Sequence, residues 1–140
     1  MKSFSRLAIL FSLFICFNTT AQVFNPYYNG LVDNVSASNI LADLITFEDF
    51  GVKEPGTSEI DDAKNWIIGR YQSLGYTTIE TQDFTVFGQN TSNIIVTKTG
   101  SLYPNTFLII DGHYDTVNGP GANDNGSGTV LILELARLLK

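Results

Sequence analysis

The sequence predicts an α/β fold, and three observations predict it. Two segments repeat apolar residues at helical spacing, at Ile40, Leu41, Leu44 and Ile45 and again at Ile60, Ala63, Ile67, Tyr71 and Leu74. The run "TFLIID" at 106–111 is apolar without alternation, the pattern of a strand covered on both faces in the centre of a sheet. The closing run "VLILELARLL" is apolar almost all round, so the helix it forms belongs beneath other elements.

Taken in order, the chain opens with Lys2 and Arg6, an apolar stretch over 7–17, and small residues at Thr19 and Ala21. That is the anatomy of a secretory signal peptide over 1–21, and the stretch is shorter than the roughly 20 residues of a membrane span. Cleavage after Ala21 is the expectation; lipidation at Cys16 is the weaker alternative, because bulky Phe14 and Ile15 precede that cysteine. Residues 22–35 read as a surface segment leading into a domain over 36–140. Ser36 caps an expected helix over 36–48, and "GVKEPGT" ends it. Ser58 with Asp61 resembles a capping box for the second helix, and Gly75 stands where a C-terminal glycine belongs. Strands are expected at about 76–87, 92–98 and 106–111, with "TGSLYPN" as the turn before the last, and a final helix over 129–140. Three strands with open edges and an uncovered apolar helix suggest the front part of a longer domain.

Composition narrows the partners. The chain has a formal net charge of −6 and no basic cluster, which disfavours nucleic acid and anionic membranes. Its single cysteine, Cys16, falls in the signal segment, so the exported product has neither a disulfide nor a thiolate metal site. The expected location is periplasmic or extracellular, without membrane association after cleavage. Oligomeric state is not legible.

The chemistry concentrates in "DGHYDTVNGPGANDNGSG" at 111–128, which holds the only histidine, His113. On a strand, His113 and Asp115 share a face and Tyr114 points away. They stand at the C-terminal end of the most apolar strand, where open α/β sheets gather ligands. Asp124 follows in a glycine-rich loop able to swing back toward His113, and imidazole with carboxylates is a donor set for catalytic zinc. Asn123 either orients Asp124 or serves only in the turn. A phosphate loop is the competing reading, but Ser127 and Gly128 stand where such a loop needs Lys and Ser or Thr, and Asp124 would repel the anion. A third reading makes His113 a hydrogen-bonded strand-end residue and both aspartates turn formers. The combination within so short a stretch favours metal.

At these residues the chain resembles the zinc aminopeptidases of clan MH, the twenty-eighth metallopeptidase family. "LIIDGHYDTV" and "GANDNGSGTVLILELARLL" are similar to that family's two zinc-binding motifs, and the lead-in over 35–98 is similar in element order. A related carboxypeptidase family with an H-x-D pair fits the glycine loop less well. The resemblance implies a three-layer α/β/α sandwich with a mixed central sheet, present here as an incomplete N-terminal portion. It implies His113 as a ligand of one of two zinc ions, Asp124 as the carboxylate bridging both, and Asp115 as the partner that orients the imidazole. It further implies a peptide or protein substrate, hydrolysed by metal-activated water with a glutamate as general base.

Glu134 is too far along an apolar helix to be that base, so the remaining ligands and the base are expected beyond Lys140, and the 140-residue chain alone is expected to be inactive. Two other functions stay open: a non-catalytic binding domain on the same scaffold, and a small domain whose apolar helix is covered by self-association.

Overall fold

A computed structural model of the chain describes residues 23–140, so the expected signal peptide lies outside the described residues. The chain divides into two compact units, the first closing at Asp33 and the second running over Asn34–Lys140. In the first, Asn25 accepts the Tyr27 N–H at 2.9 Å and Pro26 opens α1 (Pro26–Val32), where its missing N–H removes no helical bond. This helix buries none of its residues.

The second unit begins with α2 (Ala37–Asp49). Its cap is Ser36, whose hydroxyl accepts the Asn39 N–H at 3.2 Å. The cap of α3 (Ser58–Ser73) is Thr57, one residue earlier than expected. Thr57 accepts the Ile60 N–H at 3.4 Å, whereas the Ser58 hydroxyl donates to Glu59 at 3.1 Å. β1 (Ile79–Val86) and β2 (Gln89–Val96) form an antiparallel hairpin whose register runs from Ile79 opposite Val96 to Val86 opposite Gln89. Phe87 and Gly88 make the turn, both with positive φ (49° and 80°), which matches the right-handed twist of the strands. That two-residue turn fixes the register and moves both strand boundaries from those expected. The last helix, α4 (Ser127–Leu138), starts two residues early.

The α3 stripe docks as predicted, whereas in α2 Leu41 and Ile45 are 58% and 51% exposed and the buried contact is Phe47. Ile67 and Tyr71 of α3, Phe47 of α2 and Val130 and Leu133 of α4 form one buried cluster. Burial of each such side chain is worth roughly 1.5–3 kcal/mol, so these five residues dominate the adhesion of three helices. None of the described helices is long and apolar enough to cross a membrane.

The expected third strand is corrected. Among the described residues the sheet has two strands, and Phe107, Leu108 and Ile109 are 81%, 84% and 82% exposed. An open trough separates this segment from β2, and a lone extended segment without a hydrogen-bonding neighbour is not a strand. Mixed helices and a hairpin sheet make the chain α/β.

Candidate metal centre

Tyr114 is part-buried and its hydroxyl donates to the Ser92 carbonyl of β2 at 2.7 Å, while the side chains of His113 and Asp115 meet each other. The His113 carbonyl is held from α4, where the Thr129 hydroxyl donates at 3.2 Å, and by a longer contact of 3.5 Å from the Asn125 amide.

Both ring nitrogens of His113 face acceptors. Nδ1 lies 3.1 Å from the Asp115 carbonyl and 3.2 Å from its carboxylate, and Nε2 lies 3.1 Å from the Asp124 carboxylate. A neutral imidazole carries one N–H, so one of these two edges lacks a proton. Two arrangements satisfy it: an imidazolium, or a cation between Nε2 and Asp124 with the Nδ1 proton held by Asp115. Partial burial pulls the His113 pKa down, but the Asp115 carbonyl, the Asp115 and Asp124 charges and the Asp115 side chain together outweigh it, and the net shift is upward from 6.5. The Nε2 to Asp124 separation of 3.1 Å is close to the roughly 3.3 Å between neighbouring donors around a tetrahedral zinc. Side-chain exposures of 52% for His113 and 87% for Asp124 leave that edge open to an arriving ion. Among the described residues no three His, Cys, Asp or Glu side chains converge on one point, so the donors present are a pair.

Asp124 reaches His113 because the glycine loop turns sharply. Ala122–Gly126 is a single wide turn closed by the Gly126 N–H on the Gly121 carbonyl at 2.8 Å, and the Asp124–Asn125 peptide within it is cis. Gly121 enters with φ +69°, and a Cβ there would collide with the Thr116 side chain and lie 2.6 Å from the Asp124 carbonyl. Gly128 leaves room for the Asn125 side chain, which a Cβ would strike. Asn125 is the loop asparagine that reaches the His113 carbonyl, and the Asn123 carbonyl accepts the Ser127 hydroxyl at 3.2 Å, within the turn.

Sequence reading also missed Lys53. Its side chain is fully buried, and its three ammonium protons go to the carbonyls of Phe47 (3.0 Å), Gly51 (2.7 Å) and Pro120 (3.0 Å), with the Phe47 ring 4.1 Å away. Burial lowers its pKa from 10.5, with Glu48 opposing. The one available signal was the position of a lysine between the apolar residues of "FGVKEP", a weak one because lysine in a loop is ordinarily solvated.

Residues 93–140 match peptidase family M28. A probable zinc metalloprotease of Pyrenophora teres f. teres is 33% identical over 137 residues, covering 79% of this chain and 28% of that protein. The chain belongs to peptidase family M28. Within the M28 match lie His113, Asp115 and Asp124. Aminopeptidase YwaD of Bacillus subtilis is 43% identical over 65 residues, 45% of this chain and 14% of that one. Among solved structures, a glutaminyl cyclase of Porphyromonas gingivalis superposes with a TM-score of 0.57 at 27% identity, over 75% of this chain and 40% of its own. The M28 chain described here therefore spans less than a third of the curated relatives it matches.

Proposed function

We propose that this chain is the N-terminal part of the catalytic domain of an exported, zinc-dependent hydrolase of aminopeptidase type. His113 is a ligand of one zinc through Nε2, Asp124 the carboxylate bridging two zinc ions, and Asp115 the residue that holds the imidazole. The observation that carries this reading is the double-acceptor environment of His113, which a cation on the Nε2 edge satisfies with the tautomer that Asp115 selects. Bound zinc supplies a Lewis acid and a water acidic enough to attack an amide carbonyl near neutral pH. The residues present orient donors: Asp115 fixes the ring, Thr129 and Asn125 fix the His113 backbone, and the Gly121 turn aims Asp124. The general base and the remaining donors belong, on this proposal, to sequence C-terminal to Lys140. Glu134 is not the base, because it is 5% exposed and engaged with Arg137 and Ser36. Residues 1–21, with their signal-peptide pattern, support export.

The test is zinc content and zinc-dependent release of N-terminal residues from peptides by a protein extended through the downstream coding sequence. Loss of both in His113→Ala and Asp124→Ala is expected, and full activity in either variant removes the site assignment. The likeness to a glutaminyl cyclase favours a second reading, in which the same site closes an N-terminal glutamine on itself. A glutaminyl peptide that loses ammonia without shortening would select it.

A further inference from the structure

The glycine loop and the segment that carries His113 meet at a residue outside both. The Lys53 backbone N–H donates to the Thr116 hydroxyl at 2.9 Å, and the Thr116 N–H donates to the Lys53 carbonyl at 3.0 Å, a two-bond bridge across 63 residues. Thr116 directly follows Asp115. From the same residue, Nζ reaches the Pro120 carbonyl at 3.0 Å, and Pro120 directly precedes Gly121, where the turn bearing Asp124 begins. The other two ammonium protons bind Phe47 and Gly51, at the C-terminal end of α2. Phe47 also meets the turn from the opposite side: a Cβ on Gly126 would lie 2.9 Å from its ring.

We infer that Lys53 is a positioning residue for the candidate metal edge: it clamps both ends of the 116–120 loop to the end of α2 and so holds Asp124 against His113. The inference rests on the proposed zinc site. The physics is specific. A buried ammonium whose three protons are all placed cannot shift without stranding a donor, so it fixes the loop more stiffly than apolar contact does. Lysine is needed because an apolar side chain of equal length offers the Pro120 carbonyl nothing.

The test compares Lys53→Met and Thr116→Val with Tyr76→Phe. The last deletes a 2.8 Å hydrogen bond to the Ala136 carbonyl, remote from the loop, and serves as the control for lost stability alone. Two quantities are read: zinc affinity by calorimetry on the protein extended through the downstream coding sequence, and, on this chain without metal, protection of the Gly126 amide from hydrogen exchange. Lys53→Met should weaken zinc binding about tenfold or more, the range for residues that orient ligands, and should strip Gly126 protection. Thr116→Val, which keeps the ammonium, should do both to a smaller degree. Tyr76→Phe should change neither.

Unchanged Gly126 protection in Lys53→Met overturns the inference, as does equal loss in Tyr76→Phe. If Lys53→Met does not fold, Thr116→Val decides by the same two readings. If the unsubstituted extended protein binds no zinc, the zinc proposal fails by itself, and Gly126 protection still decides whether Lys53 holds the loop.

Discussion

Ser36 and Glu134, 98 residues apart, are joined by a hydrogen bond of 2.6 Å from the Ser36 backbone N–H to the Glu134 carboxylate. Arg137 donates to the same carboxylate through Nε and a terminal nitrogen, each at 2.8 Å, and also reaches the Asn34 carbonyl. One buried carboxylate thus fastens the start of α2 to α4.

Removing that carboxylate strands a part-buried N–H and unpairs Arg137. Glu134→Ala should lower the unfolding free energy by about 2–3 kcal/mol and Glu134→Gln, which keeps an acceptor, by about 1 kcal/mol. Urea denaturation of the chain reads both; a Glu134→Ala midpoint equal to that of the unsubstituted chain would deny Glu134 this role.

The same pair sets an acid limb. The Arg137 hydrogen bond, with help from the Ser36 N–H and against burial, holds the Glu134 carboxyl below its ordinary 4.5. A depressed folded pKa stabilises above the unfolded value, and the contribution disappears as pH falls through the lower, folded one. Stability should therefore decline below pH 4.5 more steeply in the unsubstituted chain than in Glu134→Gln. Parallel acid limbs for the two would contradict it.

His113 titrates with the opposite sign. Its raised folded pKa makes its metal-free contribution full below 6.5 and lost as pH rises through the folded value. Asp124→Asn removes one of the raising charges, so the ring titration followed by NMR should move down. Zinc competes with the same proton, and its affinity should climb with pH until His113 is neutral, then level. A titration indifferent to Asp124→Asn would separate the two residues in solution.

Gly121 carries a conformational demand. At φ +69°, with the Thr116 side chain in the way of a Cβ, Gly121→Ala should cost about 1–3 kcal/mol and turn Asp124 away from His113. Thermal unfolding measures the first effect and calorimetric zinc affinity the second. Retained stability with retained affinity would mean the loop tolerates another path.

The exposed run should be indifferent in this chain. Ile109 is 82% exposed, so Ile109→Asp should change stability by no more than about 0.5 kcal/mol. A loss of several kcal/mol on urea denaturation would show that the run is covered in solution.

The sequence by itself determined α2, α3 and α4, but not α1, which lies in a stretch read only as a surface segment. Period 3.6 placed Ile60, Ala63, Ile67 and Tyr71 on one face, and all four are buried, because a helix makes its own hydrogen bonds and needs only an apolar stripe to dock. Alternation also put His113 and Asp115 within reach of each other, and their side chains do meet. A strand is different: its hydrogen bonds belong to a neighbour, so "TFLIID" could announce burial and find no partner among the described residues. Tertiary structure alone decided the distance from His113 to Asp124, the approach of Asn125 to the His113 carbonyl, and the burial of Lys53. The first two depend on how the glycine loop folds back, the third on a carbonyl 67 residues away, and a lysine's three protons find three carbonyls only after the fold has assembled them.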